Sequence, residues 1–255
     1  MHQTSRADHR RAPDAGHHPA ELPAELPAEF PAERPTDPPA QARVRPLKPA
    51  VPVGVESPAP AAADQRAEIL TPRLRLRPLA EHDRDAFCAL LDASRAHLER
   101  FLPLAAPDQP ASEVFERQLE LTIAGDESGK AFRRVAADRD TGELVGAFNL
   151  VVIRRGLEWD ADVSLWLAAG CTGKGLASEG FAALLSYSFA DLPAGLGLHA
   201  IHGFIAPDNT ASQTLAAGFG FQRAEGATTH LTVGDRWQLH EKWSLPITRW
   251  QTLAG

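Results

Sequence analysis

Residues 163–189, beginning Val163-Ser164-Leu165-Trp166-Leu167-Ala168-Ala169-Gly170-Cys171-Thr172-Gly173-Lys174-Gly175-Leu176-Ala177-Ser178-Glu179-Gly180-Phe181 and running on to Phe189, read as a strand, a short glycine-bearing loop and a helix. Leu176, Phe181, Leu184, Leu185 and Phe189 mark the amphipathic helix beyond the loop. Such a loop leaves several backbone N–H groups unpaired at a helix N-terminus, with the helix dipole behind them, and so forms an anion site. The expected ligand carries phosphate, seated on Thr172, Gly173, Lys174, Gly175, Leu176 and Ala177. Downstream, Ala206-Pro207-Asp208-Asn209-Thr210-Ala211-Ser212 reads as the start of another helix.

Other readings of the loop can be weighed on its own residues. A Walker nucleotide site needs glycine at Ala168 and Ser or Thr at Gly175, so that reading fails. A dinucleotide fingerprint wants a third glycine at Ser178 and a parallel strand-helix-strand repeat, neither of which is supplied. A plain strand-to-helix turn explains the glycines alone. Cys171, close to the helix N-terminus, raises a covalent thiol mechanism, but no His/Asn partner set lies near it in sequence.

Composition bounds the remainder. Of the 255 residues, 44% are hydrophobic, enough for a sizeable core, but residues 1–66 hold little of it. There Ala20-Glu21-Leu22-Pro23-Ala24-Glu25-Leu26-Pro27-Ala28-Glu29-Phe30-Pro31 repeats a proline-terminated unit that suits neither helix nor sheet, and a disordered tail over 1–66 is expected. A spacer role, weak metal binding by its histidines and a misassigned translation start are all open readings of that tail. It lacks the apolar run of a secretory signal, and no stretch approaches the roughly 18 apolar residues of a membrane helix, so a cytoplasmic protein without membrane contact is expected. The two cysteines, Cys88 and Cys171, form no metal-ligand spacing and read as reduced thiols. A net charge of −7 gives no reason to expect direct binding to a nucleic-acid backbone and suits a basic protein or peptide partner.

The folded domain is expected over 67–255 as an α+β arrangement around one sheet. Leu74 and Leu76 alternate as a strand, Leu79 to Leu91 follow helical spacing, Ser94 or Arg95 to Leu102 read as a second short helix, and Ser112 caps a third with Val114, Phe115, Gln118, Leu119, Leu121 and Thr122 as its apolar face. Phe132 to Ala137 and Leu144 to Ile153 flank a turn-rich connector and predict an antiparallel pair. Strands follow at Asp160 to Leu167, His199 to Ile205, Phe221 to Thr229 and Trp237 to Leu245, with a helix at Thr210 to Ala217. Along the strand before the loop, Glu158, Asp160, Asp162 and Ser164 share one face by period-two alternation.

From about Leu70 to Leu245 these residues resemble the GNAT superfamily of acetyltransferases, and within it the ribosomal-protein-alanine N-acetyltransferases of the RimJ/RimL type. The likeness rests on Thr71-Pro72-Arg73-Leu74-Arg75-Leu76-Arg77-Pro78-Leu79, on His97-Leu98-Glu99-Arg100-Phe101-Leu102-Pro103, on the glycine loop, on Asn209-Thr210-Ala211-Ser212 and on Gly218-Phe219-Gly220-Phe221, all in family order. It implies a mixed, mostly antiparallel sheet flanked by helices, with a splayed strand pair holding acetyl-coenzyme A, and no metal. The family's loop pattern of Arg or Gln, two residues, Gly, one residue, then Gly or Ala lays onto Thr172, Gly175 and Ala177. Thr172 departs from it, and Lys174 with the hydroxyls of Thr172 and Ser178 is the expected compensation.

The resemblance also implies roles. Acyl transfer from a thioester to an amine requires the ammonium to lose a proton and the thiolate to gain one. Backbone groups of Leu165, Trp166 and Leu167 would seat the thioester arm. Asn209 matches a residue that bonds the pantetheine arm, and it also reads as a helix N-cap. Ser212 matches a serine whose hydroxyl meets the departing sulfur, and helix capping is its other reading. The relatives' tyrosine acid is replaced by Ala216, and the lone Tyr187 reads as packed core. Asp162 is the first candidate for the base, with His199 and His202 as the others. The implied activity is N-acetylation of a protein α-amine, a ribosomal protein foremost, by a monomer or homodimer. Small amines such as polyamines, amino sugars or antibiotics are the alternative acceptors, and a coenzyme A-binding or interaction module without turnover is the alternative class. Glu99, Asp108, Glu113 and Glu116 on the expected acceptor side suit a cationic acceptor.

Overall fold

The structure, a computed structural model, describes residues 67–102, 106, 108–233 and 236–254. The expectations for residues 1–66 lie outside the described residues. Strands β1 (Ile69–Leu70) and β2 (Leu74–Arg77) open the chain, followed by α1 (Arg84–Leu98), α2 (Ala111–Ser128), β3 (Phe132–Asp138), β4 (Leu144–Arg154) and β5 (Asp160–Leu167). Then come α3 (Leu176–Phe189), β6 (Ala200–Ile205), α4 (Thr210–Gly218), β7 (Gln222–Val233), β8 (Arg236–Pro246) and α5 (Ile247–Ala254). Among the described residues the strands form one eight-stranded sheet in the order β1-β2-β3-β4-β5-β6-β8-β7, in which only β5 and β6 run parallel.

The β3–β4 hairpin forms where alternation and the turn-rich connector place it. Asp138 accepts backbone hydrogen bonds from Asp140 at 2.9 Å and Thr141 at 3.0 Å, an aspartate-nucleated turn. The segment expected as two helices between Leu79 and Leu102 is instead a short 3-10 turn, Glu81–Asp83, running into the single helix α1. Ser94, a possible start of the second expected helix, lies buried within α1, where its hydroxyl accepts the Ala169 amide at 3.3 Å. A tertiary bond therefore accounts for the serine, and the helix runs through it. In α2 the N-cap is Pro110 and Ser112 lies in the first turn, while Leu121 faces solvent rather than the core.

Each face of the sheet carries its own core. Phe132, Phe148, Leu150, Ala161, Ile201 and Leu245 pack against Phe181, Leu184 and Leu185 of α3. The opposite face packs Val135, Ala147 and Trp166 against Phe87 and Leu91 of α1 and Val114 and Phe115 of α2. Fully burying a side chain such as Phe148 contributes about 1.5–3 kcal/mol. Gly180 lies inside α3 despite its poor helix propensity because a Cβ there would meet the Phe148 ring at 2.4 Å. The helix therefore descends close onto the central strands and fixes where its N-terminus points. Tyr187 packs on Phe132 with ring centroids 5.0 Å apart, in the core position expected of it.

Candidate active site

The β5–β6 ladder holds for only three registered pairs, Asp160 with Ala200, Ala161 with Ile201 and Asp162 with His202. Beyond that vertex β5 continues to Leu167 and β6 to Ile205, each still bonded to its outer neighbour, β4 or β8, and not to the other. The parallel pair thus opens into a V. A register shift between Leu150 and Val152 of β4 lies beside the vertex, where a bulge bends the strand. Ala168 donates its N–H to Val145 at 2.9 Å, so by strand alternation the amides of Ser164 and Trp166 face β4 while those of Leu165 and Leu167 face into the V. Of the three residues expected to seat the thioester arm, Leu165 and Leu167 present backbone donors there, and Trp166 contributes its ring to the opposite core.

The glycine loop stands beyond the end of the β5 arm. Gly173 and Gly175 adopt φ of 72° and 78°, left-handed conformations that a side chain disfavours. The N–H groups of Gly173, Lys174, Gly175, Leu176 and Ala177 bond no acceptor among the described residues, and a Cβ at Gly173 would meet nothing within 4 Å. A ring of unspent donors at a helix N-terminus fits a diphosphate. The Thr172 hydroxyl donates to the Ala169 carbonyl at 3.1 Å, so its proton is committed within the turn, whereas the exposed Lys174 side chain has no partner among the described residues.

Arg73 was not foreseen as part of this loop. Its guanidinium donates to the Lys174 carbonyl at 3.0 Å and to Glu179 Oε2 at 2.6 Å, and its backbone N–H reaches Glu179 Oε1 at 2.8 Å. Thr71 adds a hydroxyl bond to the same carboxylate at 2.6 Å. Burial pushes the Glu179 carboxyl up, but the bonds from Thr71 and Arg73 outweigh it and hold its pKa below the usual value. The Thr71-Pro72-Arg73 motif thus ties the first long strand to the first turn of α3.

On the other arm, Asn209 caps α4 by accepting the Ser212 amide at 3.1 Å. Its side-chain NH2 has no partner among the described residues and remains available, so the capping and ligand readings are compatible in the same side chain. The half-buried Ser212 hydroxyl likewise bonds nothing described. Cys88 and Cys171 are unbonded thiols.

A polar network holds the vertex. Arg154 grips both oxygens of Asp162 at 2.7 and 3.0 Å and also bonds Asp160. Asp160 meets His202 Nε2 at 3.0 Å, and His202 Nδ1 meets the Ser244 hydroxyl at 2.8 Å. Burial raises the Asp160 pKa, but Arg154 and His202 bring it net below the usual range, so the carboxylate accepts and Nε2 carries the proton. Burial lowers the His202 pKa more than Asp160 restores it, and Lys242 adds to the lowering. The ring is neutral at pH 7, and its Nδ1 lone pair receives the Ser244 proton. His199, the other histidine considered, is exposed and stacks on Trp159 with centroids 6.2 Å apart. Alternation along β5 pointed to Asp160 and Asp162 together, but Arg154 and Ser244 arrive by cross-strand pairing that no local pattern encodes. Two of the acidic residues of the helical region are spoken for, since Glu116 pairs with Arg84 and Glu113 accepts the Gln109 side-chain amide at 3.4 Å. Among the described residues no group of His, Cys, Asp and Glu could hold a metal ion, and no helix is long and apolar enough to cross a membrane.

An open strand pair with free amides along one arm, leading to an amide-lined loop that suits a diphosphate, has the layout of an acyltransferase acting on a thioester of a phosphorylated carrier. Residues 73–222 match the family described as acetyltransferase (GNAT) domain, and the chain belongs to that family. It is an acetyl-CoA-dependent N-acetyltransferase. The probable N-acetyltransferase YjcK of Bacillus subtilis is 23% identical over 166 residues, which cover 65% of this chain and 90% of that protein. Mycobacterium smegmatis RimJ in complex with CoA-disulfide superposes with a TM-score of 0.61 at 22% identity, covering 74% of this chain and 87% of RimJ. The ribosomal-protein-S5-alanine acetyltransferase of Vibrio fischeri superposes with a TM-score of 0.63 at 20% identity, covering 72% and 98% of the two chains.

Proposed function

We propose that the chain acetylates the N-terminal α-amine of a protein, a ribosomal protein being the foremost acceptor. The observation that carries the reading is the V above Asp162 and His202, with the Leu165 and Leu167 amides turned into it and the Gly173–Ala177 amides beyond its tip. The names of two solved relatives, RimJ and a ribosomal-protein-S5-alanine acetyltransferase, support the choice of acceptor.

Bound acetyl-CoA supplies an activated acetyl thioester. The loop amides and Lys174 bind its diphosphate, the unspent NH2 of Asn209 bonds the pantetheine arm, and the Leu165 and Leu167 amides polarise the acetyl carbonyl. Asp162, held in place by Arg154, takes the acceptor's ammonium proton through a water, and Ser212 gives its hydroxyl proton to the departing sulfur while taking up the second proton that the nitrogen sheds as the adduct collapses to amide and thiol.

Mass spectrometry of acetyl-CoA reactions with peptides beginning in Ala or Ser, alongside polyamines and amino sugars, tests this. We expect acetylation at the peptide α-amine, reduced about 10²-fold or more in Ser212→Ala and Asp162→Ala variants that keep their fold. Transfer confined to small amines would overturn the peptide assignment, and acetyl-CoA binding without any transfer would overturn the catalytic roles.

A further inference from the structure

Arg133 lies on β3, on the face covered by α1 and α2. Its neighbours at period-two spacing, Val135 and Ala137, belong to that core. The Arg133 Nε is buried without a hydrogen-bond partner, and its guanidinium forms no ion pair or hydrogen bond among the described residues. Burial alone moves its pKa, downward, because no carboxylate answers the charge. An arginine held in this way is costly unless an anion completes it.

The side chain lines a pocket with Gln118, Asn149, Trp166, Leu79 and Phe87, and no acidic residue borders it. Asn149 accepts the Arg134 amide through Oδ1 at 3.1 Å, which leaves its NH2 as a second unspent donor. Trp166 and Phe87 pack edge to face with centroids 6.3 Å apart and wall one side. Convergent donors, an apolar wall and no acid make a seat for a carboxylate or other oxyanion.

The seat is in register with the V. Arg133 pairs with Asn149, and Asn149 with Ser164 on the arm that opens one residue beyond Asp162. The guanidinium is thus rooted two strand spacings, about 10 Å, from the β5 arm and on the same sheet face as Ser164. Resting on the acceptor reading above, we propose that the acceptor is an amine that also carries an oxyanion, normally a carboxylate, which Arg133 and Asn149 bind while the amine enters the V. In an extended peptide, an acidic side chain at the second or third residue spans that separation, at about 3.3 Å per residue. A small amine with its own carboxylate is the other source of the same chemistry.

The test uses the full chain, acetyl-CoA and peptides matched except for Asp or Asn at the second or third position, with an amino acid and its amide as the small-molecule arm. The acidic peptide should have the higher kcat/KM by about tenfold or more, chiefly through KM, and Arg133→Gln should bring the acid-to-amide ratio near one. Arg133→Lys, which keeps a point charge, should retain part of the ratio and serves where the glutamine variant does not fold. A preference confined to the amino acid arm would assign the seat to a small acceptor. Calorimetry of the same peptides with the CoA-bound protein reads the seat without turnover, so failure of catalysis and failure of the seat are told apart. A ratio near one in the unaltered protein, or one unchanged in Arg133→Gln, overturns the proposal.

Discussion

His202 shows how burial and pairing set one residue's protonation. It is enclosed by Asp160 and Asp162 of β5, Lys242 and Ser244 of β8 and, through the carboxylates, Arg154 of β4. Because its folded pKa lies below its unfolded value of about 6.5, the unfolded chain binds more protons in that window, and stability falls as pH drops through 6.5 towards the folded value. A His202→Gln variant should lose that slope, which denaturant midpoints measured between pH 5 and 8 would show. An unchanged slope would assign it to another group. Nothing in Ile201-His202-Gly203 reveals this environment, since the aspartate and the serine come from strands far apart in sequence. Arg133 escaped notice for a related reason: Phe132-Arg133-Arg134-Val135 reads simply as part of a strand, and only the packing of α2 residues such as Gln118 beside it half-buries the arginine.

Elements with strong local signals were legible. The Asp138–Glu143 connector, the loop glycines and the apolar spacing of α3 each encode their geometry within a few residues, and the structure places β3, β4, β5 and α3 accordingly. Helix α5 was missed because Ile247–Ala254 is too short to show periodicity, yet Trp250 is 8% exposed and packs on Phe189 and Phe219. At the loop, Gly175→Ala should cost about 1–2 kcal/mol from its positive φ and weaken acetyl-CoA binding, since the strain relaxes by turning amides away from the diphosphate. Thermal melts with and without acetyl-CoA would check both effects, and intact affinity would mean that the loop amides do not bind the diphosphate.

Across the whole molecule, the Thr71–Arg73 bonds to Glu179 join residues more than a hundred positions apart. The Glu179 carboxylate has a lowered pKa, so its contribution is present above the unfolded value of about 4.3 and is lost as pH falls through the folded one. Glu179→Gln should remove that acid-limb loss and lower stability at pH 7 by about 1 kcal/mol, read from melting temperature against pH. An acid limb identical to that of the unaltered protein would assign the loss to other carboxylates.

The same clasp makes the first long strand and the donor loop thermodynamically reciprocal. A ligand that orders the loop raises the free energy needed to peel β2 from the sheet, and whatever loosens β2 weakens the ligand by the same factor. Amide hydrogen exchange at Leu74 and Leu76, neither of which touches the V, should therefore slow when coenzyme A occupies it.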